Sequence, residues 1–96
     1  MPETIFEWDD NKNRANIKKH GISFGEAVTA FQDENALIIS DDEHSEQEDR
    51  FILLGLSNHP RLLVVCHCYR GGDCVIRIIS ARKANKHESG QYGGAL

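Results

Sequence analysis

The chain has 96 residues, of which 40% are hydrophobic and 27% are charged, and its formal net charge is −4. This composition is typical of one soluble globular domain, covering residues 1–96, and excludes a collagen-like or disulfide-dense protein. The sequence contains no apolar run of the about 20 residues that a membrane span requires. Its first residues also lack the basic and apolar regions of a secretory signal, so we expect a cytoplasmic protein.

The charge is divided unevenly along the chain. Residues 1–49 contain thirteen acidic and four basic side chains, whereas residues 50–96 contain two acidic and seven basic side chains. Such an asymmetry is typical of a polyanion-binding part that lies next to an acidic part. The alternative is that the acidic and basic elements pair with each other inside the fold.

The first third of the chain predicts a short strand followed by two helices. The strand covers Ile5–Trp8, and the acidic residues after it are suited to cap a helix over residues 10–20 that ends at Gly21. Ser23 and Glu26 have the spacing of a capping box. Apolar residues then recur at the spacing of a single helix face, which predicts a second helix.

The remainder of the chain predicts strands. Four apolar segments fit this pattern, at residues 36–40, 50–56, 62–69 and 74–80, and an acidic loop at 41–49 separates the first two. Turn residues join the later strands, so we expect an antiparallel sheet. Residues 82–89 have a helical pattern, but Ser89-Gly90 and Gly93-Gly94 favour a frayed tail. The predicted fold is therefore α+β, with two N-terminal helices packed on an antiparallel sheet and a short C-terminal helix or frayed tail.

Arg77 is the residue of the last strand that most needs an explanation. Its neighbours on both sides are apolar, and a guanidinium in such a strand requires an internal carboxylate or an external anion. Arg82, Lys83 and Lys86 follow it. A convergent set of cations suits a phosphodiester, because guanidinium groups match phosphate oxygens. The alternative is a structural salt bridge from Arg77 to an acidic residue.

Two residues are candidate general bases. His67 lies in an apolar strand and has a suitable intrinsic pKa, although a packed core histidine is the alternative. Whether it shares a face with Arg77 depends on the length of the turn between the last two strands, which the sequence leaves open. Glu48 and Arg50 are two residues apart and would share a face. Glu48 is then a second candidate base, or part of a solvated acidic loop.

The three cysteines, Cys66, Cys68 and Cys74, do not form a zinc-binding pattern. Their spacing lacks the two paired ligand clusters that a structural zinc site requires, although His67 and His59 are possible additional ligands. An odd number of cysteines also argues against a disulfide framework. We therefore expect buried free thiols, no metal and no cofactor.

Four segments together resemble the BrnT family of bacterial toxins. They are Phe6-Glu7-Trp8-Asp9, the run from Lys19 to Ala27, His44 with Glu48-Asp49-Arg50-Phe51, and the run from Ile78 to Ala84. The resemblance implies a small metal-independent endoribonuclease with a RelE-like fold that inhibits translation. It also implies neutralisation by a BrnA-like antitoxin whose DNA-binding part is a ribbon-helix-helix.

An RNase that works without metal needs a base for the ribose 2′-hydroxyl and a cationic clamp for the phosphate, and it yields a 2′,3′-cyclic phosphate. We predict His67 or Glu48 as the base, and Arg50, Arg77 and Arg82 as further catalytic residues. The predicted substrate contacts are Lys19, His20, Lys83 and Tyr92, the last of which matches the spacing of a tyrosine in the family's tail. The competing hypothesis is a non-catalytic binding module, acting as a partner or co-repressor in an antitoxin–DNA complex.

The predicted partners follow from the same resemblance. They are RNA, a BrnA-like antitoxin dimer carrying two toxins as a heterotetramer, and operator DNA reached only through that antitoxin, with no membrane partner. The basic half of the chain is the expected docking surface for an acidic or amphipathic antitoxin segment. The acidic run at 41–49 is a competing surface, suited to basic residues of the antitoxin.

Overall fold

The computed structural model describes residues 4–40, 50–72 and 74–92 of the chain. It contains five strands and three helices in that part. In chain order these are β1 (Ile5–Glu7), α1 (Asp10–His20), α2 (Phe24–Ala30), β2 (Leu37–Ser40), β3 (Arg50–Leu56), β4 (Leu62–Arg70), β5 (Val75–Lys83) and α3 (Lys86–Gln91). The predicted α+β class is confirmed, and the predicted positions of the first two helices agree with the structure.

The five strands form one mixed sheet in the order β1-β5-β4-β3-β2. The strands β2 to β5 pair antiparallel as predicted. The prediction of an entirely antiparallel sheet is wrong, because β1 runs parallel to β5 at the edge, with Glu7 opposite Arg77. No hairpin joins these two strands, so the local turn pattern carries no information about their direction. The RelE-like description of the fold stays a prediction.

Helix α1 is attached to the sheet edge by a side chain. Asp9 caps its N-terminus by accepting hydrogen bonds from the backbone N–H groups of Asn11 and Lys12, and Gly21 ends it with a positive φ of 72°. Asn16 is the buried residue of α1. Its side-chain amide donates to the carbonyl of Ala81 and accepts from the N–H of Ala81, so it pairs with the edge of β5 as a strand would.

Helix α2 covers one face of the sheet, which we call the α2 face. The core there contains Phe24 and Ala27 of α2 together with Leu53, Val65 and Ile78 of the strands. Leu53 and Val65 are register partners, and residues two apart along a strand share a face. The helix approaches β3 so closely that a Cβ on Gly55 would lie 2.7 Å from the carbonyl oxygen of Ala30.

The capping box predicted at the start of α2 is only half formed. Ser23 accepts the N–H of Glu26, but the Glu26 side chain does not return to the helix start. It is buried and instead accepts hydrogen bonds from Ser57 and Arg61. The hydrogen bond from Arg61 holds the pKa of Glu26 below its usual range, against the opposing effect of burial.

The opposite face of the sheet, which we call the arginine face, is covered over part of its area by the C-terminal segment. Leu54, Val64 and Tyr92 form a second apolar cluster there. The tail is a helix rather than a frayed segment, since α3 continues through Ser89-Gly90 to Gln91. A capping box between Asn85 and Glu88 starts this helix. Residues 93–96 lie outside the described part.

Strand β5 extends three residues beyond the predicted end, to Lys83, and contains an irregularity. Cys66 pairs with Ser80 and His67 with Ile78, so Ile79 is an extra residue in β5. This bulge shifts the alternation of side chains. Arg77 and Arg82, five residues apart, therefore lie on the same face of the sheet. In the part of the chain that the structure describes, no helix is long and apolar enough to span a membrane.

Candidate nucleic-acid interface

A row of charged residues crosses the arginine face of the sheet. Glu7 pairs with Arg77, Arg77 with Cys68, and Cys68 with Arg50, on four successive strands. Register partners in a sheet project to the same side, and neighbouring strands lie about 4.8 Å apart. The row therefore brings Arg50 and Arg77 to two sides of the small residue Cys68.

Three residues of this row, Arg50, Cys68 and Arg77, line a cleft of about 280 Å³, and Glu7 lies beside it in contact with Arg77. The lining residues of the cleft are Lys12, Arg50, Cys68, Arg70, Arg77 and Ile79. Four of the six carry a positive charge, and they come from α1, β3, β4 and β5. Guanidinium groups on a rigid sheet are suited to hold a phosphodiester through paired hydrogen bonds. Lys12 adds a cation from the first turn of α1.

Two further depressions of similar size lack this chemistry. One, of about 300 Å³, lies near Thr29, Asp33 and Asn58, and the other, of about 330 Å³, lies near Phe6 and Phe31. Neither is lined by a lysine or arginine. Of these three depressions, the cleft on the arginine face is the one suited to bind an anion.

Carboxylates lie beside Arg77 at one end of the row. Arg77 Nη1 donates to Glu7 Oε2 at 2.7 Å, with both side chains about one-third exposed, at 30% and 38%. The sequence analysis left two partners open for Arg77, an internal carboxylate or an external anion. The structure provides the carboxylate and still leaves Arg77 in the lining of an open cleft. Asp9 is close enough for the charge of Arg77 to contribute to its lowered pKa, for which the main cause is the hydrogen bond from Lys12 N–H.

Arg82 lies on the arginine face but is engaged by α3. Its two terminal nitrogens donate to the two carboxylate oxygens of Glu88, each at 2.8 Å. This hydrogen bonding raises the pKa of Arg82 and lowers that of Glu88. Arg82 does not line the cleft. Of the three predicted catalytic arginines, the structure therefore brings Arg50 and Arg77 together and places Arg82 in the attachment of α3.

The predicted substrate contacts do not converge on the cleft. Lys19 and His20 are in the last turn of α1, about 10 Å along the helix from Lys12. Lys83 pairs with Leu63 and thus lies on the α2 side of β5. Tyr92 is buried and donates its hydroxyl hydrogen to Asp33, and this hydrogen bond raises the pKa of Tyr92 to about 12. Glu48 and His44 lie outside the described residues.

His67 lies on the α2 face and is fully buried. The two strands β4 and β5 are joined by a four-residue connection that pairs Arg70 with Val75, which places His67 and Arg77 on opposite faces. The ring packs edge-on against Phe31 with centroids 4.9 Å apart. Its Nδ1 lies 3.1 Å from the carbonyl oxygen of Val65, and within the described part of the chain Nε2 has no hydrogen-bond partner.

This position predicts how His67 affects stability as the pH changes. Burial holds the pKa of His67 below its ordinary value of 6.5, so the folded state keeps the ring neutral while the unfolded chain takes up a proton below that pH. The free energy of unfolding should therefore fall as the pH drops below 6.5. In His67→Leu the fall should begin only at lower pH, as Glu26 and Glu88, whose ordinary pKa is 4.5, start to protonate in the unfolded chain. Thermal unfolding from pH 4 to 8 measures both curves.

The same variant distinguishes a structural role of His67 from a catalytic role. At pH 7 we expect His67→Leu to be as stable as the wild type, because an apolar side chain removes an unpaired buried nitrogen. We also expect it to retain RNA cleavage. A variant that keeps its melting temperature but loses cleavage would restore His67 as the base.

Sequence reasoning did not assign Lys12, Arg70 or Glu7 to this site. Arg70 ends β4 and is exposed, so only the register with Val75 places it on the arginine face. Lys12 reaches the cleft because α1 follows β1 along the edge of the sheet. The sequence contains one signal for Lys12. Helix α1 has few apolar residues, so most of its polar side chains do not pack against the sheet and are available to bind a ligand.

The cysteines are free thiols, but the prediction that they are buried is wrong, because Cys66 and Cys68 are partly exposed and Cys74 is exposed. Cys68 lies in the row between Arg50 and Arg77. Among residues 4–40, 50–72 and 74–92, no group of three histidine, cysteine or acidic side chains is arranged to hold a metal ion. The side chains that converge on the cleft are cations, which favour phosphate over a metal ion.

A basic cleft on an α+β sheet is suited to bind an anion, and the comparisons with known proteins show the family to which the chain belongs. The profile of the family described as "Ribonuclease toxin, BrnT, of type II toxin-antitoxin system" matches residues 8–88. The chain therefore belongs to this family of ribonuclease toxins, and the resemblance noted in the sequence is confirmed. Type II systems pair each toxin with an antitoxin.

A crystal structure supports the same relationship at the level of fold. The chain is similar to the ribonuclease toxin BrnT of Brucella abortus, determined at 1.1 Å, with a TM-score of 0.65 and 24% sequence identity. The match covers 90% of this chain and 100% of that one. A comparison with curated protein sequences gave no significant match.

Proposed function

We propose that the protein is an endoribonuclease toxin that binds and cleaves RNA at the cleft of the arginine face without a metal ion. The observation that carries the proposal is the convergence of Arg50, Arg70, Arg77 and Lys12 on one cleft in a member of a ribonuclease toxin family. Three guanidinium groups and one ammonium group supply the charge that a phosphodiester and its pentavalent transition state require.

Roles follow from position along the row. Arg77 and Arg50 flank Cys68 and are placed to hold the scissile phosphate from two sides. Arg70 and Lys12, at the margins, are placed to bind neighbouring phosphates of the strand. Because each contact replaces counterions on the RNA, binding should weaken steeply as salt is raised. Inhibition of translation in the cytoplasm is the cellular effect that such cleavage would have.

The direct test uses labelled RNA and purified protein in the presence of EDTA. We expect cleavage, with product fragments that end in a 2′,3′-cyclic phosphate, because the 2′-oxygen of the substrate is the nucleophile. Cleavage that stops in EDTA and returns with a divalent ion would contradict the metal-free mechanism. An absence of cleavage, together with no growth arrest on expression, would favour the non-catalytic binding module.

We further propose that the cognate antitoxin is BrnA-like, with a ribbon-helix-helix dimer that carries two toxins and contacts operator DNA. An antitoxin that inactivates the toxin should cover the cleft with acidic or amphipathic residues. Charge reversal of Arg82 and Lys83, the last two residues of β5, is unsuited to test this docking, since the two side chains lie on opposite faces of the strand.

Charge reversal of a single cleft residue is the better test of antitoxin docking. Arg70 is exposed at the cleft and Arg14 is exposed on α1 outside it. We expect Arg70→Glu to weaken the complex at least about tenfold, in line with the cost of placing like charges together in an interface. Arg14→Glu should bind as the wild type does. Equal binding of both variants, measured by calorimetry with purified antitoxin, would place the docking surface elsewhere.

A further inference from the structure

The proposed cleavage reaction requires a proton acceptor close to the phosphate-binding arginines. A base must remove the proton of the 2′-hydroxyl as the 2′-oxygen attacks phosphorus. His67 is fully buried on the opposite face of the sheet, so it does not meet this requirement in the observed fold. The acceptor should therefore be sought among the groups on the arginine face.

Glu7 stands at the required place. It is the register partner of Arg77 in the row, and its side chain is 38% exposed. Arg77 donates to Oε2 of Glu7, and Oε1 accepts no hydrogen bond from the described residues. Arg77 uses Nη1 for Glu7, and its remaining N–H groups are directed to no described acceptor, which leaves them for phosphate oxygens.

The neighbouring carboxylate of Asp9 is less suited to the role. Its side chain accepts the backbone N–H groups of Asn11 and Lys12 at 2.8 and 3.1 Å, and it holds the start of α1. These hydrogen bonds favour the ionised form and make the carboxylate a weaker base. Glu7 has no comparable structural role, since an ion pair that is about one-third exposed contributes little to stability.

We propose that Glu7 is the general base of the RNA cleavage reaction, an assignment that rests on the proposed function. One carboxylate oxygen takes the proton of the 2′-hydroxyl, and the 2′-oxygen forms a bond to phosphorus. The bond from phosphorus to the 5′-oxygen breaks, and the leaving oxygen takes a proton from water. The products are a 2′,3′-cyclic phosphate and a free 5′-hydroxyl.

The charged groups around Glu7 fit this role. Arg77 is in direct contact, Asp9 and Lys12 lie at the start of α1, and Arg50 and Arg70 complete the cleft. The positive groups draw the phosphate next to Glu7 and compensate its negative charge. Arg77 touches both the base and the phosphate site, so it aligns one with the other. Glu7 lies one residue before the range 8–88 matched by the family profile, so the match to the profile does not include it.

The test compares Glu7→Gln with the wild type in single-turnover cleavage of a labelled RNA. Glutamine keeps the size of the side chain and can still accept a hydrogen bond from Arg77, but it cannot take a proton. We expect the cleavage rate constant to fall about 100-fold or more, the usual contribution of a general base. The dissociation constant for an RNA with methylated 2′-hydroxyls should stay the same or decrease, because a negative charge next to Arg77 is removed. Glu34→Gln, at an exposed position away from the cleft, is the matched control.

The pH profile provides a readout that a structural role would not change. The wild-type rate should decrease on acidification, because a protonated base cannot accept the proton of the 2′-hydroxyl. The residual rate of Glu7→Gln should lack this decrease. A Glu7→Gln protein that cleaves at the wild-type rate, or loses RNA binding in parallel with cleavage, would overturn the assignment. A wild-type protein that neither binds nor cleaves RNA would instead contradict the proposed function itself.

Discussion

Replacing Arg77 by glutamine should reduce the rate of RNA cleavage at least about 100-fold, the loss that follows removal of one preorganised donor to a developing oxyanion. Arg77 lines the cleft, contacts Glu7 and occupies the middle of the charged row. Its side chain is 30% exposed, so we expect the melting temperature to change little. Single-turnover cleavage and growth after induction of the variant measure the effect in vitro and in cells.

Two further variants make the Arg77 prediction specific. Arg77→Lys keeps the charge but loses the planar pair of donors, so its rate should lie between those of the wild type and Arg77→Gln. Arg14→Gln removes an exposed arginine of α1 outside the cleft and should cleave as the wild type does. Wild-type growth arrest by Arg77→Gln would show that the cleft is not the catalytic site.

Replacing Asn16 by leucine should have the largest effect on stability. The side chain donates to the carbonyls of Ile22 and Ala81 at 2.8 Å and accepts the N–H of Ala81 at 3.2 Å, all in a buried environment. Leucine leaves these three backbone groups without their partner, and each costs about 1–3 kcal/mol. We expect the free energy of unfolding to fall by about 4 kcal/mol, a large part of the stability of a small domain.

Asn11→Leu is the control for this substitution, because Asn11 is on the same helix but exposed. Its free energy of unfolding should stay within about 0.5 kcal/mol of the wild type. Denaturant unfolding followed by circular dichroism gives both values. Equal stability of the two variants would mean that Asn16 does not attach α1 to the edge of β5.

The elements predicted most accurately from the sequence are those with local signals. Asp9 and Gly21 mark the two ends of α1 because capping depends on side chains and backbone angles within a few residues. The strands β3 and β4 were predicted within one residue because apolar segments and turn residues bound them. The sequence favours a frayed tail where the structure has the helix α3. The capping box between Asn85 and Glu88 and the ion pair of Glu88 with Arg82 stabilise this helix although it contains Gly90.

The parts of the site that sequence did not predict depend on long-range pairing. Glu7 and Arg77 are seventy positions apart and meet because β1 joins the edge of β5 in parallel. Glu26 has the spacing of a local capping residue but is bound by Arg61, which lies 35 positions later. In both cases a local pattern was compatible with several partners, and only the packing of the sheet selects one.

The face of His67 shows the same limit in a different form. The side of a strand on which a residue lies is set by the register, and a change of one residue reverses it. The connection between β4 and β5 and the bulge at Ile79 together decide that His67 is in the core while Arg77 and Arg82 share the other face. Neither feature has a reliable sequence signal, whereas the need of Arg77 for an anion was evident from its apolar neighbours.

The most direct test of the account is to map where RNA binds. A short RNA with methylated 2′-hydroxyls, which prevents cleavage, is titrated into the ¹⁵N-labelled protein while backbone amide signals are followed. We predict that the largest shifts fall on the arginine face, at Lys12, Arg50, Cys68, Arg70 and Arg77, and that they diminish as salt is raised. Shifts confined to the end of α1 and the α2 face, with the cleft unaffected, would contradict the assignment of the cleft as the RNA site.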